Sequence, residues 1–285
     1  MRWPSIVAAV LLAVGSSLFA HQPVMDMVPR WAGGWGLQMF QEYRVAEDLF
    51  SGSDKIGNPS GLRREVHTTW LEGVYTFDRA RRVTFKMPYV DQERVALVSG
   101  SPVTQRGHGL GDIMIAAPFK KYTNVPGLTY NWSATPQLRL PTGKTTHAFA
   151  VGDGSWDPGL SLSLSTESPR WYHLYDLWYW KNTQGSNGMR HGDELGFDIN
   201  IGRAISHQEH NIGTFIMLDV TARWMDRSRH NSNSGGEYIS MGPMFMVFKG
   251  NWAFRAEYRL PVYERWNGNQ VGNEHRFSIG VGVAF

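Results

Sequence analysis

The sequence has no cysteine among its 285 residues, so neither a disulfide bridge nor a thiol nucleophile is available to it. It also has no block of charge of one sign, because the formal net charge is +3 and the basic residues are scattered along the chain. A nucleic-acid-binding protein would concentrate its basic residues in a patch or stripe. The composition therefore argues against thiol chemistry, a disulfide-stapled fold and a nucleic-acid partner.

Long apolar runs are also scarce, and the one near the start is short. Residues 6–14 are apolar, they follow Arg2, and the small-residue stretch 15–20 comes after them. This order is typical of a secretory signal peptide, and the run has only about half of the roughly 20 residues that a membrane-spanning helix needs. We expect residues 1–20 to be a signal peptide cleaved before His21, which sends the mature chain out of the cytoplasm.

Aromatic residues and glycine, by contrast, are abundant. The chain has 12 Trp, 11 Tyr, 14 Phe and 31 Gly, and its mean hydropathy is negative. These features are unusual for a soluble enzyme. They are typical of a membrane β-barrel, in which aromatic girdles face the lipid interfaces and polar side chains fill the interior.

Alternating apolar and polar residues indicate the strands. In the last ten residues an apolar row runs from Phe277 to Phe285, with small or polar residues between its members. The same period of two marks 252–260 and 216–224, and weaker copies lie upstream. We count twelve candidate strands, of which 36–45, 62–77, 171–181 and 237–249 have ambiguous registers, and the others are 83–89, 113–120, 132–140, 160–165, 195–201, 216–224, 252–260 and 276–285.

The connections favour a barrel over a soluble sandwich. Long polar links near 46–61, 91–109, 141–157, 182–192, 227–236 and 263–274 alternate with shorter links. Long outer loops and short periplasmic turns are the usual barrel arrangement. An open sheet edge in lipid would leave backbone groups unpaired, so the barrel must close. We therefore predict an all-β fold, a closed antiparallel transmembrane β-barrel of about 12 strands over residues 36–285, in the outer membrane of a Gram-negative bacterium.

The chain terminates in an aromatic residue, Phe285, with apolar residues at every second position before it. This pattern resembles the C-terminal signal by which outer-membrane proteins are delivered to the barrel-assembly machinery. We expect that machinery and the outer-membrane lipids to be partners of the protein.

Charged residues on the predicted inner face are the candidate solute contacts. Two interpretations stay open: a network of ion pairs that fills the lumen, and a polar pathway with modest anion preference. The candidate lumen-lining residues are Glu42, Arg44, Arg82, Lys86, Asp112, Arg139, Asp198, Asp219, Arg223, Arg255, Glu257, Arg259 and Arg276.

Four glycine- and aspartate-rich fragments carry a family resemblance. They are Gly-Leu-Gly-Asp-Ile at 109–113, Leu-Pro-Thr-Gly-Lys at 140–144, Gly-Asp-Gly-Ser-Trp-Asp-Pro-Gly at 152–159 and Gly-Asp-Glu at 192–194. In this order the chain resembles the outer-membrane family first associated with the meta-cleavage pathway of phenol degradation. The resemblance implies a channel or transporter for passive passage of small, often aromatic or hydrophobic, solutes, and it supplies no catalytic residues.

A lipid hydrolase is a second hypothesis. Residues 184–188, Gln-Gly-Ser-Asn-Gly, resemble the His-x-Ser-Asn-Gly element of outer-membrane phospholipases. Gln184 stands where that element has its histidine, and a serine without a base is a poor nucleophile. The hypothesis would need His67, His173 or His191 to approach Ser186 from elsewhere.

Copper handling is a third hypothesis. Cleavage after residue 20 places His21 at the mature N-terminus, followed by Met25 and Met27, and imidazole with thioether ligands favours copper, Cu(I) in particular. Met241, Met244 and Met246 form another group late in the chain, although methionine is also an ordinary apolar filler.

The segment 21–35 precedes the first predicted strand and is less polar than a free tail would be. We interpret it as a periplasmic segment that folds into the mouth of the barrel and narrows or plugs it. A docking site for a periplasmic partner explains the same residues equally well.

Overall fold

The computed structural model of the protein describes residues 32–145, 149–186, 188–206 and 212–285. The predicted signal peptide and the candidate metal ligands His21, Met25 and Met27 lie outside these residues. In the described part of the chain, no helix is both long enough and apolar enough to cross a membrane.

The regular elements of the described residues are β-strands. In chain order they are β1 (Gly34–Ala46), β2 (Asp48–Gly52), β3 (Asp54–Ile56), β4 (Arg63–Thr76), β5 (Arg82–Val98), β6 (Ser101–Leu110), β7 (Met114–Ala116), β8 (Phe119–Val125), β9 (Leu128–Arg139), β10 (Asp157–Glu167), β11 (Trp171–Trp180), β12 (Glu194–Ser206), β13 (Ile212–Met225), β14 (Gly236–Lys249), β15 (Trp252–Gly272) and β16 (His275–Ala284).

These strands form one antiparallel sheet that closes on itself. Strand β4 pairs with β5, β5 pairs with β6 and β7, and β7 and β8 pair with β9. The pairing then continues in chain order from β9 to β16. Strand β1 closes the sheet, because it pairs with both β4 and β16. Because β6, β7 and β8 follow one another as a single interrupted strand, the barrel has twelve strands. The predicted fold class and strand count are confirmed, and β2 with β3 forms an outer hairpin on β15.

The alternation along the strands separates a lipid face from an inner face. In β10, Leu160, Leu162 and Leu164 are 45%, 50% and 47% exposed on the outside, whereas Ser161 and Ser165 are buried inside. The same pattern fixes the four registers that were ambiguous in sequence; in β1, for example, Gln38, Phe40, Glu42 and Arg44 face inward. Exposed aromatic rings, including Trp35, Phe77, Trp171 and Trp252, lie at the end with the short turns, which is the periplasmic end in the usual barrel arrangement.

Two of the predicted long links are largely strand. Between 91 and 109, β5 and β6 continue as a hairpin whose tight turn is Ser99-Gly100, and β15 continues to Gly272. The prediction of loops there was wrong because the strands run beyond the lipid. Both of their faces then meet a polar environment, the alternation fades, and only backbone pairing remains to hold them.

Candidate functional site

Three of the four family-like fragments meet at one carboxylate inside the outer half of the barrel. Asp112, between β6 and β7, accepts hydrogen bonds from the backbone N–H of Gly143 at 2.8 Å and of Asp153 at 3.0 Å. The hydroxyl of Thr142 accepts from the N–H of Ile113 at 2.9 Å and donates to a nearby carbonyl of the same stretch. The fragments are therefore the parts of a clamp. The clamp holds the loop between β9 and β10, residues 140–156, against the interrupted strand formed by β6, β7 and β8.

The clamped loop turns into the lumen. Val151 is 0% exposed and packs on Val66 of β4 and Val90 of β5, both of which face inward. The side chain of Gln92 donates to the carbonyl of Ala150 at 2.7 Å. An outer loop that packs on the inner wall narrows the passage at that level.

The fourth fragment belongs to a buried polar cluster beside the clamp, because the hydroxyl of Ser155 contacts both Asp153 of the clamp and Asp157 of the cluster at 2.8 Å. Glu194 forms an ion pair with Arg223 and lies 4.0 Å from Arg139, which in turn reaches Asp157 at 3.4 Å. Asn182 bridges the group, since its side chain donates to Glu194 at 3.2 Å and accepts from Arg139 at 3.3 Å. All four fragments thus position charged groups at the outer part of the lumen.

A second ion-pair network occupies the wall from β13 to β15. Arg259 pairs with Asp219 at 2.9 Å and also contacts Glu257, and Arg255 pairs with Glu257 at 2.6 Å. These groups are buried, so each charge depends on its partner for compensation.

A third group of ion pairs centres on Glu274, in the turn between β15 and β16. Glu274 lies 2.5 Å from Arg64, 3.5 Å from Arg276 and 4.0 Å from Arg44, and Arg44 also pairs with Glu42 at 3.2 Å. Burial alone would raise the pKa of Glu274, but the three guanidinium groups outweigh it and lower that pKa to about 2. One carboxylate therefore holds three arginines at the outer mouth.

Aromatic side chains form an apolar belt in the lumen between these charged regions. Phe40, Trp70, Met114, Trp178 and Trp180 are buried in one cluster. A further set of contacts places guanidinium groups over these rings: Arg139 over Trp180 at 4.7 Å, Arg223 over Trp178 at 5.7 Å and Arg255 over Phe40 at 5.2 Å. In the belt, three of the rings are therefore each covered by a guanidinium group, which places positive charge directly beside the aromatic surface.

The belt rings lie flat over glycines of neighbouring strands, and this packing gives a prediction. In Gly196→Ala the new methyl would overlap the indole of Trp178, whose Nε1 donates to Asp198 at 2.7 Å. We expect a loss of about 1–3 kcal/mol of stability from overpacking, measured as a lower urea midpoint of unfolding. Gly213→Ala is the matched control because its methyl would have ordinary contacts at 4.0 Å. Equal shifts in the two variants would contradict the assignment.

An opening lies at the outer end of the lumen, beside β14, β15 and β16. Tyr238 and Trp266, with ring centroids 6.1 Å apart, form part of its wall. Arg64, Arg276 and Glu274 line it as well, so it joins the ion-pair network to the exterior.

The structure places the predicted lumen residues on the inner side of the barrel. Asp112 lies at the loop clamp, and the other twelve are inward-facing strand positions: Glu42, Arg44, Arg82, Lys86, Arg139, Asp198, Asp219, Arg223, Arg255, Glu257, Arg259 and Arg276. Their contact with a solute stays a prediction. Sequence reasoning did not select the inward acids Glu72, Asp157, Asp176, Glu194 and Glu274 or the base Lys120. For Glu72, the signal was its spacing of two from Trp70 and Val74 on the inner row.

The geometry around Ser186 does not favour a hydrolase. Its exposed loop hydrogen-bonds to Gly154, and in the described residues no histidine is bonded to its hydroxyl. His173 is bonded to Thr166 and His67 to Glu65, both on outward-facing strand positions. A serine needs a base within hydrogen-bond reach to act as a nucleophile.

The methionines of β14 do not share one face. Met244 and Met246 face inward and pack with Met217 and nearby aromatic rings, whereas Met241 lies on the opposite face. Across the described residues, no group of three or more His, Asp or Glu side chains is placed to hold a metal ion. The candidate ligands His21, Met25 and Met27 are outside those residues.

Comparisons with known proteins agree with this architecture. A family model described as "Putative MetA-pathway of phenol degradation" matches residues 59–271, which is most of the chain. The fold is similar to the crystal structure of an outer-membrane channel from Pseudomonas putida F1, with a TM-score of 0.72, 14% identity and coverage of 94% of this chain and 100% of that one. The NanC porin matches with a TM-score of 0.46 at 12% identity, covering 87% and 98%. The β domain of the Bordetella autotransporter BrkA gives 0.44 at 13%, covering 89% and 100%. No curated protein sequence matches this chain significantly.

Proposed function

The chain belongs to the family described as "Putative MetA-pathway of phenol degradation", and we propose that it is a channel for the passive passage of small solutes, aromatic or hydrophobic compounds among them. It is an outer-membrane β-barrel, and the channel structure from Pseudomonas putida F1 shares its fold. The observation that carries the proposal is the lumen itself. It combines an outer opening, paired charges and an aromatic belt.

The aromatic belt supports an aromatic solute. Arg139 and Arg223 cover the indole faces of Trp180 and Trp178. An aromatic solute must therefore displace these guanidinium groups to stack on the indoles, and the displaced groups then hold a phenolate or carboxylate beside the ring. The acids that sequence reasoning did not select offset much of the positive charge predicted for the lumen. We therefore expect weak ion selectivity, with solute preference set mainly by ring contacts.

The test is conductance of the purified, refolded mature protein in a planar lipid bilayer. We expect discrete conductance steps that phenol or benzoate blocks, and no effect of cyclohexanol, which has similar size and no aromatic ring. A heat-modifiable band on a gel verifies that the barrel is folded. A folded barrel without conductance, or block that does not depend on the ring, contradicts the proposal.

The organisation of the chain around the barrel is part of the same proposal. Strand β1 begins at Gly34 at the periplasmic end, so we propose that residues 21–35 lead from a cleaved leader, residues 1–20, to the periplasmic mouth. There they narrow the lumen or receive a periplasmic partner. The interaction of Phe285 with the assembly machinery, and copper binding through His21, Met25 and Met27, also stay predictions.

A further inference from the structure

Two charged side chains inside the barrel stand apart from the ion-pair networks. Lys120 of β8 and Asp176 of β11 face inward, and among the described residues neither lies within 4.0 Å of an oppositely charged group. Asp176 is buried, and the hydroxyl of Ser161 donates to it at 2.5 Å. The two charges act on each other electrostatically without forming a close ion pair, and Lys86 also acts on Asp176. Charges held apart in this way inside a membrane protein are costly, so they indicate a functional site.

A second cationic side chain accompanies Lys120. Arg82 of β5 is buried; its guanidinium donates to the hydroxyl of Tyr122 at 3.2 Å, and its Nε has no hydrogen-bond partner. Tyr122 is two residues beyond Lys120 on the same face of β8. In the part of the chain that the structure describes, no carboxylate lies within 4.0 Å of Arg82. This wall therefore presents two cations.

The anionic end is Asp176. It is directly opposite Asp198 in the pairing of β11 with β12. Asp198 has partners of its own, among them Trp178, which donates to it at 2.7 Å, and Thr221, which donates at 2.5 Å. The carboxylate of Asp176 is therefore the one available to a bound cation.

A row of directly paired residues on neighbouring strands connects Lys120 with Asp176. Lys120 is opposite Ser133, Ser133 is opposite Ser163, and Ser163 is opposite Asp176. The two serine hydroxyls are 2.6 Å apart. Three strand spacings of about 4.8 Å each separate the backbones at the ends of the row. The inner wall thus carries a cation, a floor of two hydroxyls and an anion in line.

We propose that this row binds a small zwitterion, with its ammonium group at Asp176 and its carboxylate at Lys120 and Arg82. One molecule that carries both charges satisfies both ends at once, whereas a neutral ring satisfies neither and a simple ion satisfies only one. The inference rests on the proposed function, because the solute must reach the row through the lumen.

The experiment is single-channel recording of the refolded mature protein in KCl. The probes are glycine, β-alanine, 4-aminobutanoate and 6-aminohexanoate, which differ in charge separation, and the single-charge controls are butanoate and butylamine. We expect one of the zwitterions to block the current at a concentration about tenfold below that of either control. The best-blocking chain length measures the distance between the two charged ends.

Variants assign the block to the row. Asp176→Asn and Lys120→Met should each raise the half-blocking zwitterion concentration about tenfold, because each removes one charge and keeps the side-chain size. Lys121→Met is the matched control, since Lys121 is exposed and points outward from the same strand.

The outcomes separate this site from the channel itself. If butanoate blocks the conducting barrel as well as any zwitterion does, the proposed site is wrong and the channel function stands. The same conclusion follows if the half-blocking concentration is unchanged in both single variants. A folded barrel without current contradicts the proposed function, and calorimetric titration of the same zwitterions into that preparation then decides the site. Binding heat that disappears in Asp176→Asn supports it, and absence of heat in the wild type overturns it.

Discussion

Replacing Asp112 by alanine should raise the single-channel conductance severalfold. The carboxylate is the acceptor for the backbone N–H groups of Gly143 and Asp153, and those two residues flank the part of the loop that packs on Val66 and Val90. Without the acceptor, two partly buried N–H groups lose their partners, and the loop lowers its free energy by turning out to solvent, where water can bond those groups. The passage then widens at the level of this loop.

Asp91→Ala is the matched control, because Asp91 is an exposed aspartate on the outer face of β5. It should conduct as the wild type does. Gly152→Ala provides a second way to open the clamp, since its methyl would lie 2.5 Å from the Cα of Gly143. Wild-type conductance in both clamp variants, with normal heat-modifiable folding, would show that the loop does not limit the passage.

Replacing Glu274 by glutamine should shift the ion selectivity strongly toward anions. Glu274 is the shared partner of Arg64, Arg44 and Arg276, so the variant leaves three guanidinium groups at the outer mouth with one carboxylate fewer. The expected measurement is a reversal potential in a KCl gradient that moves toward the chloride equilibrium potential. Glu237→Gln is the control, since it removes an acid that pairs with the exposed Arg265 at 3.9 Å. Equal reversal potentials in the two variants would refute the role of Glu274.

The same carboxylate sets a pH dependence. The pKa of Glu274 is lowered in the folded barrel, from 4.5 to about 2. Its contribution to stability is therefore fully present above pH 4.5 and is lost as the pH falls toward 2. The shift corresponds to a contribution on the order of 3 kcal/mol. Denaturation midpoints of the wild type and Glu274→Gln should differ at pH 7 and converge below pH 3.

The strands were predictable because lipid and lumen demand opposite side chains at successive positions. That demand holds only within the membrane, so the outer continuation of β5, β6 and β15 carried no such signal. The segment 171–181 was ambiguous because aromatic and apolar residues occupy both of its faces, with Trp178 inside and Leu177 outside. Asp176 was missed for this reason.

The role of Asp112 was beyond the reach of sequence pattern. Its place beside an alternating strand marks it as inward, and it is inward, but its partners lie about 30 and 40 residues later in the chain. Which outer loop folds into the lumen depends on the packing of Val151 and on close backbone approach at Gly143 and Gly152. The family-like fragments indicated where the important residues were without indicating that they meet.

The hairpin of β5 and β6 extends beyond the lipid-facing apolar band of the barrel. Tyr89 is 52% exposed on the lipid face, and beyond it the outer face changes to Asp91 and to Glu93, which Arg63 and Arg106 hold at 3.1 and 2.7 Å. This hairpin therefore projects beyond the outer edge of the membrane. Its tip at Ser99 and Gly100 is held by backbone pairing between β5 and β6 and not by lipid. Its outer side chains can therefore change without changing the inward-facing residues of the barrel wall.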